Sequence, residues 1–184
     1  MSVFDPYFIG NVDPSLLVRG DYSLGLVALS VGVSIFASTM GLHVAWQSRR
    51  VDSQAVARLM RVAGALALAV GVWAMHFIGM LAFRLCVPVS FDMGGTLLSA
   101  LPAVGASAVA LHILSLPQYH RAQLLWGGLL MGAGIGAMHY LGMAAMRMPA
   151  QLRYDLPIFL LSVGVAVVLS VVALDRKSTR LNSS

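Results

Sequence analysis

Two short segments concentrate the residues capable of chemistry: Met75-His76-Phe77-Ile78-Gly79-Met80 and Met138-His139-Tyr140-Leu141-Gly142-Met143. In each, the His and the second Met are four residues apart, so on a helix both side chains lie on one face, a turn from each other. Imidazole accepts copper, zinc or iron, and soft thioether sulfur selects Cu(I), which makes the set copper-favouring. A turn rises about 5.4 Å, so one ion need not take both donors from the same helix, and Met75 and Met138, about 100° around from their His, can face a neighbour. The metal candidates are therefore His76 and His139 first, then Met75, Met80, Met138 and Met143. Two other readings stand beside this one. The two histidines could be axial ligands of a haem, the methionines then being packing. The motif could also be purely structural, with His bonding between helices and Met filling gaps.

Enzyme chemistry has no counterpart in the chain. It contains no Glu, no Gly-rich phosphate loop, no nucleophile elbow and no carboxylate pair within its apolar stretches, so no catalytic residue is assigned. A single cysteine, Cys86, excludes an intrachain disulfide framework and any Cys-based zinc or iron–sulfur site. His43 and His112 fall at the other ends of their helices from His76 and His139 and form a separate layer, while His120 reads as a solvated loop residue.

The elements that must position these side chains follow from composition. Of 184 residues, 59% are hydrophobic and 10% charged, against roughly 45–50% and 25% in soluble domains. Five apolar stretches, Tyr22 to Trp46, Val62 to Phe83, Met93 to Leu116, Leu124 to Met146 and Leu156 to Leu174, approach or exceed the roughly 20 residues needed to span a bilayer. Each is expected to be a helix, because only a helix satisfies its own backbone in lipid. Eleven of the twelve cations are Arg, scattered with no basic face, which argues against nucleic acid as a partner. The connection from Gln47 to Arg61 holds Arg49, Arg50, Arg58 and Arg61 against Asp52 alone, so it is expected inside and the N-terminus outside. Trp46, Trp73 and Trp126 read as an interfacial aromatic belt.

Sliding the chain by 63 positions lays Val62 to Leu85 over Leu125 to Met148 with ten of 24 residues identical, including His76/His139, Gly79/Gly142 and Arg84/Arg147. The odd-numbered spans echo one another as well: Ala37-Ser38-x-x-x-Leu42-His43 matches Ala106-Ser107-x-x-x-Leu111-His112, and Ser170-x-x-x-Leu174 follows at 63. The expected fold is thus an all-α, multipass transmembrane helical bundle of parallel two-helix repeats, with two full repeats plus one helix. Residues 1–21 are an extracytoplasmic tail with no signal-peptide pattern, residues 22–174 the membrane domain, and 175–184 a polar tail that reads as foreign sequence after truncation. A parallel repeat without acidic residues in its spans disfavours a carrier or channel. Gly128, Gly132 and Gly136 form a small-residue stripe expected to hold the two His-bearing helices together.

The doubled motif, with its Gly-Val-Trp-Ala and Gly-Ile-Gly-Ala lead-ins, resembles the MHYT domain of bacterial signalling proteins over nearly the whole stretch from Tyr22 to Leu174. Met75, His76 and Phe77 match its first copy and Met138, His139 and Tyr140 its second. Phe77 stands for the motif Tyr, Ile78 and Leu141 for its Thr, and a third motif is missing. The resemblance implies a sensory input domain of the bacterial inner (plasma) membrane that binds copper and senses oxygen, carbon monoxide, nitric oxide or redox state. It also implies a cytoplasmic output domain downstream, such as a diguanylate cyclase, and no catalysis by the input domain itself. Single cysteines at Ser2 and Ser53, in a Cys86→Ser background, should report the orientation: in intact cells an impermeant thiol reagent should label position 2 and spare position 53, and the reverse pattern would overturn it.

Overall fold

The computed structural model describes residues 20–116, 120–149 and 155–182; most of the expected N-terminal tail lies outside them. Helix α1 (Leu24–Ser48) and α2 (Gln54–Ala82) form a hairpin, followed by α3 (Met93–Leu98), α4 (Ala100–Leu114), α5 (Arg121–Ala144) and α6 (Leu156–Asn182). Among the described residues, with α3 and α4 counted together, five segments are long and apolar enough to cross a membrane. Neighbours in the bundle are α1 with α2, α2 with α4, α4 with α5, and α5 with α6. Large apolar side chains such as Ile35, Phe36, Leu130 and Leu160 stay exposed on the outside. In a bilayer that face meets lipid, so helices apolar all round need no polar side.

Three boundaries differ from the sequence reading. The first connection is much shorter than Gln47 to Arg61, because α2 starts at Gln54, with the Ser53 hydroxyl accepting from the Val56 N–H at 3.5 Å. Arg58 and Arg61 thus lie on the first turns of α2. This helix begins before its apolar part, which is all that hydropathy registers. The third span is broken at Ser99, since Pro102 has no N–H for the Leu98 carbonyl and its ring crowds that turn. Helix α6 continues beyond Leu174 through Asp175 to Asn182.

Two short antiparallel ribbons close one end of the bundle: β1 (Gly20–Tyr22) with β2 (Phe83–Leu85), and β3 (Ser90–Phe91) with β4 (Met146–Arg147). They are copies of each other. The Ser23 N–H donates to the Ala82 carbonyl at 2.8 Å, and the Asp92 N–H to the Ala145 carbonyl at 2.9 Å. The Asp92 carboxylate also caps α3 by accepting from the Gly95 N–H at 2.8 Å, and pairs with Arg147. The Gly95 bond, then the Arg147 charge, hold that carboxyl below the usual carboxylate range. At the opposite end Arg50 lies 3.7 Å over the Trp46 ring, Arg49 donates to the Leu116 carbonyl, and Gln123 accepts from the His120 N–H at 2.9 Å. His120 is exposed and lies just before α5, as expected of a solvated loop residue.

Glycines set the helix spacing. A Cβ on Gly71 would sit 2.1 Å from the Ala37 Cβ, and one on its repeat mate Gly134 would sit 2.9 Å from the Ala106 Cβ. The stripe at Gly128 and Gly132 faces Val171 and Val167 of α6, so it joins α5 to α6 and not to the other His-bearing helix, and Gly136 faces open space. Gly132→Val should therefore cost about 1–3 kcal/mol by overpacking against the Val167 backbone, whereas Gly136→Ala should be neutral or slightly stabilising. Thermal unfolding of the two variants in detergent, compared with the unmodified chain, checks the difference.

Candidate metal centre

His76 lies about two turns before the end of α2 and His139 at the matching place on α5. The sequence requires this equivalence, because the two helices obey one 63-residue repeat. What folding adds is convergence: α2 and α5 make few contacts elsewhere, yet their imidazoles meet with Nδ1 3.3 Å from Nδ1, ring centroids 4.9 Å apart and planes at 67°. As a hydrogen bond this contact needs one ring to donate and the other to accept. His76 is buried and His139 exposed at the bundle surface.

The Nε2 of His76 is buried with no hydrogen-bond partner, and leaving such a group unpaired costs about 1–3 kcal/mol. It rests over Gly142, where a Cβ would lie 2.6 Å away. That glycine, conspicuous in the sequence only as a motif member, makes room for the ring of the other copy. Phe77 and Tyr140 each stand edge-on to their preceding imidazole, at centroid distances of 5.2 and 5.0 Å.

The metal–imidazole bond is about 2.0–2.1 Å, and opened at a tetrahedral angle two such bonds place their nitrogens about 3.3–3.4 Å apart. The observed Nδ1 separation of 3.3 Å fits one ion between the rings. Among the described residues no group of three or more His, Cys, Asp or Glu gathers anywhere, so further protein donors would have to be softer or neutral. Met75, Met80 and Met143 are half-buried near the pair, and Met138 is buried against Ala69 and Ala103. His43, by contrast, bonds Gln47 at 2.9 Å at the arginine end, and His112 is exposed there.

Sequence reasoning missed the polar residues that anchor this region. Trp73, expected in an aromatic belt, points inward: its indole N–H reaches the Thr96 carbonyl at 3.2 Å and the Ser99 hydroxyl at 3.1 Å, bridging the break between α3 and α4. The correction has a physical reason, since a broken helix leaves carbonyls in need of a donor. Ser30 donates to the Met75 carbonyl at 3.1 Å, and Ser162 bonds the Tyr140 hydroxyl at 2.6 Å. Ser30, Ser99 and Ser162 occupy equivalent places, at offsets of 69 and 63 in the sequence. Extending the repeat comparison upstream would have found them.

A helical membrane bundle of repeated hairpins, with paired imidazoles at one end, is the class of protein these features define. The family described as a bacterial signalling protein N-terminal repeat, MHYT, matches residues 70–127 and 132–180. The chain belongs to the MHYT family. It is 44% identical over 159 residues to the bifunctional diguanylate cyclase/cyclic di-GMP phosphodiesterase MucR of Pseudomonas aeruginosa, covering 86% of this chain and 23% of that protein. It is 37% identical over 169 residues to the cyclic di-GMP phosphodiesterase NbdA of the same organism, covering 91% and 21%. To the signaling protein YkoW of Bacillus subtilis it is 29% identical over 155 residues, covering 83% and 19%. The chain thus spans about a fifth of the length of these relatives. No solved structure matches it.

Gly142→Ala tests the geometry of the pair directly. The added carbon should push His76 aside, lower stability by about 1–3 kcal/mol, and change the imidazole nitrogen resonances of both histidines. Unaltered resonances in 15N-histidine NMR would show that the ring does not rest on this glycine.

Proposed function

We propose that this chain is the sensory input domain of a bacterial signalling protein, set in the inner membrane with its N-terminus outside, and that it binds copper between His76 and His139. The observation that supports this most is the 3.3 Å approach of the two Nδ1 atoms, brought about by helices that otherwise barely touch. Met75, Met80 and Met143 are the soft donors that would complete the set; Met138, the fourth candidate, is packed against Ala69 and Ala103 and would have to leave that core to join it. Copper there would supply a redox-active centre able to take a diatomic ligand such as oxygen, carbon monoxide or nitric oxide. A bis-histidine haem requires its two rings on opposite faces of a macrocycle, and rings in mutual contact leave no space for that plane, so copper is the preferred reading.

The chain's own residues supply the route outward. Trp73 is three residues before His76, on the same helical face, and holds the break in the third span. A displacement of His76 therefore bears on α3 and α4 through one side chain. The likeness to MucR, a diguanylate cyclase/cyclic di-GMP phosphodiesterase, and to NbdA, a cyclic di-GMP phosphodiesterase, supports cyclic di-GMP synthesis or hydrolysis as the output of the whole protein, with this domain biasing that output and catalysing nothing itself.

Metal analysis and an absorption spectrum of the purified full chain, after anaerobic Cu(I) loading, test the reading. Bound copper without a Soret band is expected, and replacing His76 or His139 with Ala should lower occupancy well below that of His43→Ala or His112→Ala controls. A Soret band would favour haem. Equal occupancy in all four variants, or none in the parent, would leave a purely structural module.

A further inference from the structure

Inward of the imidazole pair lies a partly open chamber of about 190 Å³ lined by residues of α1, α2, α4, α5 and α6. Its existence follows from the repeat. Gly41, Ala110 and Ala173 ring it, and these are one repeat position, spaced by 69 and 63 residues on three equivalent helices. The next repeat position supplies Leu42, Leu111 and Leu174 to the same wall. Small side chains at a shared position on all three helices leave space between them, where one larger side chain would fill it.

The chamber is aligned with the histidines. Val72 and Ile135, which line it, are repeat mates, each four residues before His76 or His139. One helical turn therefore separates chamber and imidazoles on the same faces of α2 and α5. Its lining is chiefly apolar, and apolar atoms facing an empty space lack the dispersion contacts that an apolar occupant would restore. Water is a poor occupant, because each molecule needs two to four polar partners and an engineered apolar cavity of about 150 Å³ stays dry yet takes up benzene or xenon. Here only Ser38 and Ser107 bring hydroxyls, and a helical serine can satisfy itself on its own backbone. Ala173 is exposed, which opens the α6 side toward the hydrocarbon phase.

We propose that this chamber is a binding site for small, uncharged, apolar solutes, a class that includes the dissolved diatomic gases, admitted from the bilayer and held one turn from the imidazole pair. Its physiological meaning rests on the sensor reading; the binding itself does not. The site gathers solute from lipid, where apolar molecules partition, and keeps it one turn from His76 and His139.

Xenon is the probe, applied under pressure to the metal-free full chain in lipid nanodiscs with isoleucine δ1-methyl labels. The Ile135 methyl, in the chamber wall, should shift with xenon pressure and saturate. Ile35 and Ile158, both lipid-facing, and Ile113, buried against other residues, should respond weakly and linearly. Ala110→Leu should abolish saturation at Ile135 while the remaining methyl spectrum keeps its dispersion, and Ala173→Leu, whose bulk can relax at the open side, serves if the first variant fails to fold. A linear response of Ile135 in the unmodified chain, whether because the space is collapsed or filled by an acyl chain, overturns the proposal. Copper occupancy measured on a second portion of the same protein after anaerobic Cu(I) loading separates the two ideas: xenon saturation without copper uptake leaves the chamber and removes the metal sensor, and copper uptake without xenon saturation does the reverse.

Discussion

Backbones that approach closely at glycine and alanine are the contact on which this bundle depends. Lipid tails are as apolar as leucine, so burying leucine between helices gains little, and association must come from van der Waals packing of close surfaces. Gly71 against Ala37 and Gly134 against Ala106 are the same contact made twice. Gly64 against Val44 and Gly127 against Ile113 repeat in the same way. Once each hairpin is held by these contacts, its two ends are fixed in space, and the ribbons at one end and the arginine-bearing turn at the other fall at opposite faces of the bundle.

The imidazole pair is a consequence of that arrangement. Helices α2 and α5 belong to different hairpins, with α4 packed against both, and they come together chiefly where the motif lies. Gly142 admits the His76 ring, and the α3–α4 break created by Pro102 is bridged by Trp73 from the next turn of the same helix. The two copies solve one problem differently. Tyr140 bonds Ser162 through its hydroxyl; Phe77 has no hydroxyl, and the equivalent Ser99 is bonded by Trp73 instead. The position of Trp73 is occupied by Gly136 in the second copy, so each copy carries one long polar aromatic for this serine.

From one end of the bundle to the other the molecule is layered. Arginines and their partners Trp46 and Leu116 occupy one end, a leucine- and alanine-rich core whose residues also line the chamber follows, then the histidines, and finally the ribbons with the Asp92–Arg147 pair. Such layering suits a membrane module of a signalling protein, because chemistry near one surface is joined to the other only through packed helices. The broken third span is touched by α2 on one side and α5 on the other.

Much of this was determined by the amino-acid sequence alone. Hydropathy and length define five spans because lipid penalises any unpaired backbone group, and the 63-residue repeat puts His76 and His139 at one depth because identical patterns fold into identical hairpins. The layers of His43 and His112 and the small residues at Gly71 and Gly134 were legible for the same reason. Which residues meet across hairpins was decided only by the tertiary structure. The Gly128–Gly132 stripe serves α6 and not α2, Trp73 turns inward, and Gly142 lies under the ring of the other motif. Each of these depends on how one hairpin is rotated against the next. Periodicity along a helix tells which side chains share a face, but with every face apolar it carries no sign of which face a neighbouring helix will cover.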